Sequence, residues 1–420
     1  MADRTTDLPP DPAPASDGIV VRPLTADDWA GAKALDAAAF GYDTDDDFLD
    51  TVSLPGLDIT RFLGAYDSAL DGLMVGTCAI QSRTLTFPGR GPAPVAAVTW
   101  VSVRPDQQRR GILRRMMTAQ LHGLHDQQRE PVAILTASEA VIYGRFGYGL
   151  ASLRTRLEIP APAALRPGLP TEPVLEVPRE QALPRLRALH ADVAPRTPGY
   201  LDRTPAIWDT LLSDHPFVNK GVSARRFAVH ADGYAVFRLS DRWTDRGPDY
   251  TLTVSELVAR TPVARASLWR HLLHYPLVRT VVFPRAWVDE PLAHLLVNPR
   301  ALASDSSDNV WVRIVDLDRA MDLRTYSAAA DVTVRVSDPF CPWNDGVWRL
   351  RLDQHSGRAE RTDAAPGIEL DVSDLGAAFL GGTGLAVLAV AGRVTGDAEA
   401  IEALDRALAT SLQPWTPEGF

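Results

Sequence analysis

From Thr99 to Gly149 the chain reads TWVSVRPDQQRRGILRRMMTAQLHGLHDQQREPVAILTASEAVIYGRFGYG, and no other stretch limits its architecture as much. Val98, Trp100, Val101 and Val103 are strand-like, β-branched and aromatic residues. Pro105 closes the strand, because proline has no N–H for a ladder and restricts the residue before it. After Gln108-Arg109-Arg110-Gly111-Ile112, the residues Leu113, Met116, Met117, Gln120, Leu121 and Leu124 fall at helical spacing. A basic, glycine-containing turn between strand and helix suits phosphate. The first N–H groups of a helix have no internal acceptor and carry partial positive charge. Gly111 permits close approach of the backbone, and Arg109 and Arg110 can neutralise phosphate. A solvated basic surface is the plainer reading of the same turn. A second strand, Val132 to Thr136, precedes Ser138-Glu139 and the block Tyr143-Gly144-Arg145-Phe146-Gly147-Tyr148.

The order of strand, V-x-P-x-x-Q-R-R-G-I-L turn, helix, strand and Y-G-R-F-G-Y block resembles the GCN5-related N-acetyltransferase (GNAT) superfamily. There the turn holds the pyrophosphate of coenzyme A. The run S-E-x-x-I-Y-G-R-F-G-Y-G resembles one branch in particular, the Eis (enhanced intracellular survival) acetyltransferases. Leu113 stands where the wider superfamily has Gly or Ala, a departure that the Eis branch shares.

At 420 residues the chain is long for one core, and 45% hydrophobic with 23% charged residues is a globular composition. No apolar run of about 18 residues suggests a membrane helix. MADRTTDLPPDPAPASDG, residues 1–18, has no apolar signal core and reads as a disordered lead-in. Two distant cysteines, Cys78 and Cys341, argue against a disulfide framework or thiolate metal site, so a cytoplasmic location is expected. A net charge of −10 speaks against nucleic acid or acidic membranes and is compatible with a cationic substrate. His122 and His125 are three apart on a helix but lack a third ligand at zinc spacing; His190, His271 and His274 are equally unsupported.

Along the chain, residues 19–159 read as one α/β domain. Strands are expected at Ile19 to Arg22, Arg61 to Ala65, Leu73 to Gln81, Arg83 to Phe87 and Val95 to Val103, with Leu153 to Ile159 as one more. Thr25 should cap a helix that carries Trp29 and Phe40 and stops at Gly41. The acid-rich run Tyr42 to Asp47 reads either as the first turn of a second helix or as an acidic rim for a polyamine. A Pro-rich connector, Pro160 to Pro178, opens a second region, 160–305, whose order of strands, helix and strand looks like a second GNAT-type unit. Its strand ends Val258-Ala259-Arg260-Thr261-Pro262, with no glycine entry, so no cofactor is expected there. Residues 306–420, beginning near Trp311, read as α+β, with Ser373 capping a helix. They resemble the sterol-carrier-like domain that closes Eis proteins. Pro414 and Pro417 would leave the end of the chain a loose tail on residue pattern alone.

The resemblance therefore implies tandem GNAT folds, α/β with mixed, mostly antiparallel sheets, followed by a sterol-carrier-protein-like α+β domain. It implies an acetyl-CoA-dependent N-acetyltransferase without a metal, acting on multi-amine cations such as aminoglycosides and assembled as a homohexamer. In its terms Val101, Val103, Gln108, Arg109, Arg110, Gly111, Ile112 and Ser138 contact the cofactor. Trp29, Phe40, Tyr42 and Trp100 line the substrate pocket. Tyr42 replaces a family acid, for which Asp43 or Asp45 can stand in. Tyr143 is the general acid and Tyr148 a packing residue; the α-carboxylate of Phe420 is the base. A tyrosine of pKa roughly 10 is well matched to a leaving thiolate. Rival readings are a GNAT enzyme for protein lysines or polyamines, a lipid- or sterol-binding protein, and a scaffold with a degenerate core.

Overall fold

The computed structural model describes residues 18–420; the lead-in expected at the start of the chain falls, up to residue 17, outside them. The chain divides into two compact units, one running to Ser82 and again over Ala96–Arg129, the other comprising Arg83–Val95 and Glu130–Phe420.

β1 (Ile19–Pro23), α1 (Trp29–Phe40), β2 (Phe62–Asp67), β3 (Leu73–Phe87), β4 (Gly91–Val103) and α2 (Ile112–Asp126) follow in order, and the first unit holds all of them except the hairpin Arg83–Val95, which belongs to the second. β2 pairs antiparallel with both β1 and β3. Thr25 and Asp28 form a capping box ahead of α1, and Gly41 ends the helix at φ +70°, a conformation that glycine adopts without strain. α2 lies over Gly76, where a Cβ would sit 2.8 Å from Ile112 Cγ2 and 3.0 Å from Met116 Cε. Leu73 to Phe87 is one continuous strand rather than two. Ser82, which looks like a break, simply faces outward and accepts a hydrogen bond from Arg61 Nη1 at 2.7 Å. The following strand also starts earlier than Val95, at Gly91.

In the second unit β5 (Val132–Leu135), α3 (Ala140–Tyr143), β6 (Gly149–Leu150) and β7 (Leu153–Pro160) follow in turn. Trp311–Ile314, expected to open the last domain, instead lies antiparallel between β5 and β6. β7, expected to close the first, pairs antiparallel with Val278–Ala286 and Ala303–Asp308. It thereby joins a seven-stranded sheet whose order runs from Ala303–Asp308 through β7, Val278–Ala286, Tyr250–Ala259, Gly233–Ser240 and Arg226–His230 to Leu175–Val177. Alternation explains the two faces of that sheet. Ala235 and Phe237 enter one core with Leu268 and Trp269 of α6 (Pro262–Leu273), once α4 (Arg179–Val193) and α5 (Pro205–Leu211) are set on the other side. Tyr234 and Val236 meet Leu186 of α4 and Trp208 of α5 in the opposite core. A five-stranded sheet, with Ala330–Ser337 at its centre, and the helices Val372–Ala378 and Ala398–Leu408 complete the unit. Asp371, not Ser373, caps the first of these helices, accepting from Ser373 N at 2.8 Å.

The end of the chain is not a loose tail. Trp415 is 4% exposed and belongs to the α6-side core, its ring 5.5 Å from that of Tyr200. Its N–H bonds Pro198 O at 2.9 Å, and Gly199, at φ +91°, lets the two backbones pass where a Cβ would stand 2.8 Å from Trp415 N. Glu418, 5% exposed, is clamped by Arg83 Nη2 and Arg203 Nε, each at 2.6 Å. Arg203 continues to Glu256 (3.0 Å), which accepts from Tyr234 OH (3.0 Å). Arg285 Nη2 donates to Glu418 O and to Asn309 Oδ1, both at 2.9 Å, and Asn309 Nδ2 donates to Thr416 O at 3.1 Å.

Burial alone would raise the Glu418 carboxyl, but Arg203 and Arg83 outweigh it and hold the group below the usual carboxylate range. Its stabilising contribution is therefore complete above its unfolded pKa of roughly 4.3 and is lost as pH falls through the lower folded value. We expect hydrogen exchange over residues 413–420 to be flat between neutral pH and about pH 5 and to accelerate below about pH 4, after correction for intrinsic rates. Glu418→Gln should expose the tail at neutral pH, since removing one partner of a buried ion pair costs about 3–5 kcal/mol, less here to the extent that Glu256 and Asp202 still face the two arginines. Tail protection unchanged in that variant would show that the clamp does not hold the terminus.

Candidate active site

The first unit carries the turn and an aromatic–acidic nook. β4 is distorted at Trp100, whose φ of +51° is far from a strand value. After the single turn Pro105–Gln107, Arg109 (φ +63°) and Gly111 (φ +71°) both take left-handed conformations. Gly111 is the N-cap of α2, and no side chain caps it; a Cβ there would meet nothing within 4 Å. Its glycine is thus required by backbone angle and not by crowding, and the N–H groups of Ile112 and Leu113 head the helix next to open space. Ile112 turns its side chain into the core, 2% exposed. Arg109 is exposed and has no hydrogen-bond or ion-pair partner among the described residues, whereas Gln108 is simply exposed. Arg110 is already engaged. Its Nη1 donates to Asp67 Oδ2 at 2.7 Å and Gln107 Oε1 at 2.5 Å, which pulls the Asp67 carboxyl below its usual range. Val101 and Val103 are half-buried in β4.

Of the expected pocket residues, Trp29 and Trp100 come together, ring centroids 5.2 Å apart, with Phe62 completing the cluster at 6.0 and 5.8 Å. Phe40 stays apart, 52% exposed. Tyr42 donates to Asp36 Oδ2 at 2.7 Å, and burial together with that carboxylate pushes its phenol up. Asp36, 8% exposed, also accepts from Ser102 Oγ. A carboxylate, that of Asp36, is therefore present behind Tyr42. Asp45 Oδ1 accepts from Phe48 N at 2.9 Å, the work of a cap, so the acid-rich run behaves here as a helix entry. Lys33 takes Asp46 at 2.7 Å and Asp50 at 2.9 Å, and Trp29 Nε1 donates to Asp50 at 2.8 Å.

The second unit carries the proposed acid and base. Tyr143, 5% exposed, ends α3 with its ring 5.9 Å from that of Tyr148, which is 1% exposed. Ser138 is exposed beyond β5. Thr136 Oγ1 donates to a terminal oxygen of Phe420 at 3.2 Å, so the clamped tail delivers its last residue to the end of β5. Asp36, Ser102, Thr136 and the Glu418 clamp were not predicted. Only the acid in Pro417-Glu418-Gly419-Phe420 left a trace, as a charge in an otherwise apolar terminus. Among the described residues no group of three or more His, Cys, Asp or Glu side chains could hold a metal ion, and no helix is long and apolar enough to cross a membrane.

Residues 20–151 match the acetyltransferase (GNAT) domain family, residues 199–314 a second acetyltransferase (GNAT) domain family, and residues 317–417 the sterol carrier protein domain. The N-acetyltransferase Eis of Mycobacterium tuberculosis is 32% identical over 418 residues, covering 94% of this chain and 98% of that protein. The chain belongs to the Eis family of GNAT N-acetyltransferases. An N-acetyltransferase of Streptomyces avermitilis is 36% identical over 379 residues, 86% of this chain and 89% of the relative. The crystal structure of Eis1 from Mycobacterium abscessus superposes with a TM-score of 0.82 at 31% identity, over 96% of this chain and 100% of that one. This Eis-family chain thus has two GNAT domains followed by a sterol-carrier-like domain, with mixed sheets and helices.

The geometry of the turn makes a sharp expectation. Gly111→Val forces a β-branched residue to φ +71°; with the turn as the cofactor's phosphate site, the KM for acetyl-CoA should rise at least tenfold while the fold persists. Gly111→Asn, which tolerates the left-handed region, should be milder. An unchanged KM in the valine variant would remove the turn from the cofactor site.

Proposed function

We propose that this N-acetyltransferase takes the acetyl group of acetyl-CoA and passes it directly to primary amines of multi-amine cations such as aminoglycosides. The observation that carries the reading is the terminal carboxylate of Phe420, held at Thr136 by a tail that is itself locked in place by Glu418 and Trp415. In this reading the α2 entry at Gly111, Ile112 and Leu113 receives the pyrophosphate, with Arg109 as the mobile countercharge. Arg110 contributes by bracing the turn against Asp67. Val101, Val103, Gln108 and Ser138 line the rest of the cofactor path. Trp29, Phe40, Tyr42 and Trp100 receive the substrate, and Asp36 behind Tyr42 supplies the negative charge that an ammonium group seeks.

The Phe420 carboxylate accepts a proton from the substrate ammonium, freeing the lone pair that attacks the thioester carbonyl. The C–N bond forms, the second N–H proton of the attacking amine is lost to water, the C–S bond breaks, and the leaving thiolate takes the Tyr143 phenolic proton; the phenolate is reprotonated from solvent, to which Phe420 also releases its proton. A carboxylate in water is a weak base for this work, with an ordinary pKa of roughly 3.5, and desolvation by a bound substrate is what would strengthen it. Cytoplasmic location and homohexameric assembly belong to the same reading, by likeness to the family.

A thiol-release assay with acetyl-CoA against aminoglycosides, polyamines and lysine peptides tests the substrate class. Aminoglycosides should turn over fastest and take more than one acetyl group by mass; activity confined to lysine peptides would overturn that choice. Tyr143→Phe removes only a proton donor. Both KM values should hold while kcat falls roughly 10²–10⁴-fold, and Tyr148→Phe should leave chemistry near wild type. The reverse pattern would move the acid to Tyr148.

A further inference from the structure

His190, one of the histidines for which the sequence suggested no role, turns out to face a cavity that the acetyl-transfer reading does not use. The cavity measures about 360 Å³, at the small end of ligand pockets, and lies wholly within the second unit. Arg187, His190 and Ala191 project into it from one face of α4, at the i, i+3, i+4 spacing that aligns side chains. Pro92, Leu201 and Trp208 supply apolar wall.

Two polar groups here lack what buried polar groups need. His190 is 5% exposed; its ring packs against Trp208 at 5.4 Å and Tyr200 at 5.7 Å, and its Nε2 is buried without a hydrogen-bond partner. Arg187 Nε is likewise buried and unpartnered, and the whole guanidinium has no ion pair among the described residues. Leaving such groups unsatisfied is costly, so an orphan pair on one wall of a cavity points to a missing acceptor. The other charged wall groups are already matched. Arg203 is taken by Glu256 and Glu418, and Asp202 by Arg83 Nε at 3.1 Å and Thr84 N at 2.8 Å. The unbalanced charge is therefore one cation. Burial, with Arg203 nearby, lowers the His190 imidazole to a pKa of about 3, so at neutral pH it adds hydrogen-bonding capacity without charge.

We propose that this cavity binds a small carboxylic acid with an apolar body, its carboxylate on Arg187 and His190 and its hydrocarbon against Trp208 and Leu201. One cation and a neutral imidazole suit a monoanion better than a phosphate dianion, and apolar walls disfavour a sugar. The lining of the cavity includes none of the acetyl-transfer groups, although Arg203, which borders it, also holds Glu418.

Benzoate is a suitable probe, with benzamide as its neutral isostere and benzylamine as its cationic one, each titrated calorimetrically into the full-length protein. Benzoate should bind with a Kd of about 0.1–1 mM, while benzamide and benzylamine bind at least tenfold more weakly. Arg187→Gln, which breaks no hydrogen bond or ion pair among the described residues, should weaken benzoate about tenfold or more without lowering the melting temperature. Ala191→Phe should fill the cavity and abolish binding. No binding of benzoate up to about 10 mM, equal binding of benzamide, or full affinity in Arg187→Gln would each overturn the proposal.

Discussion

A carboxylate buried between two arginines holds the rest of this account in place. Glu418 reaches Arg83, on the hairpin end of β3, and Arg203, just ahead of α5, so three distant parts of the sequence meet at one charge cluster. Charges are expensive to bury, and such a cluster persists only when every member is paired. Here Asp202, Glu256 and Tyr234 complete the pairing. The cluster does not act alone, since Trp415 contributes an apolar anchor in the adjoining core, where truncation of a tryptophan costs about 3–5 kcal/mol. Together they turn the last residues of a long chain into a fixed element. A carboxylate can serve as a base only if it stays within hydrogen-bond reach of its proton, and a frayed terminus would not.

The two GNAT domains differ where it matters for phosphate. In the first, α2 starts at a left-handed glycine with no side-chain cap. In the second, α6 starts at Thr261, whose Oγ1 accepts from Ala264 N at 3.2 Å, and continues with Pro262, which has no N–H. A capped entry beginning with proline offers an anion fewer donors. The sequence carries this contrast openly, as Q-R-R-G-I-L against V-A-R-T-P, because it depends on local backbone chemistry alone.

What was legible followed the same rule. The strand–turn–helix around Gly111, the cap at Thr25 and the helix stop at Gly41 are set by neighbouring residues, and all can be read from neighbours. Pairing partners were not legible. Leu153 to Ile159 alternates equally well in either sheet, and nothing local says that it joins Val278–Ala286. Trp311–Ile314 fills a gap between β5 and β6 that only the folded chain possesses. Arg83, Arg203 and Glu418 are unremarkable singly among many charged residues, and their meaning lies in a meeting point that sequence spacing does not encode. Tyr42 is the instructive case at the site. Asp43 and Asp45 stand next to it in sequence, whereas the carboxylate that its hydroxyl meets, Asp36, comes from within α1.

The claim on which the mechanism stands is that the position of the terminal carboxylate matters more than the side chain that bears it. One glycine appended after Phe420 moves that charge by about 3.5 Å, beyond the roughly 2.6–3.2 Å span of a proton-transfer hydrogen bond. It leaves Glu418, Trp415 and their partners untouched. The extended enzyme should keep its melting temperature and its KM for acetyl-CoA while kcat for amine acetylation drops at least a hundredfold. Wild-type turnover by the extended chain would contradict the account and hand the role of base to another group.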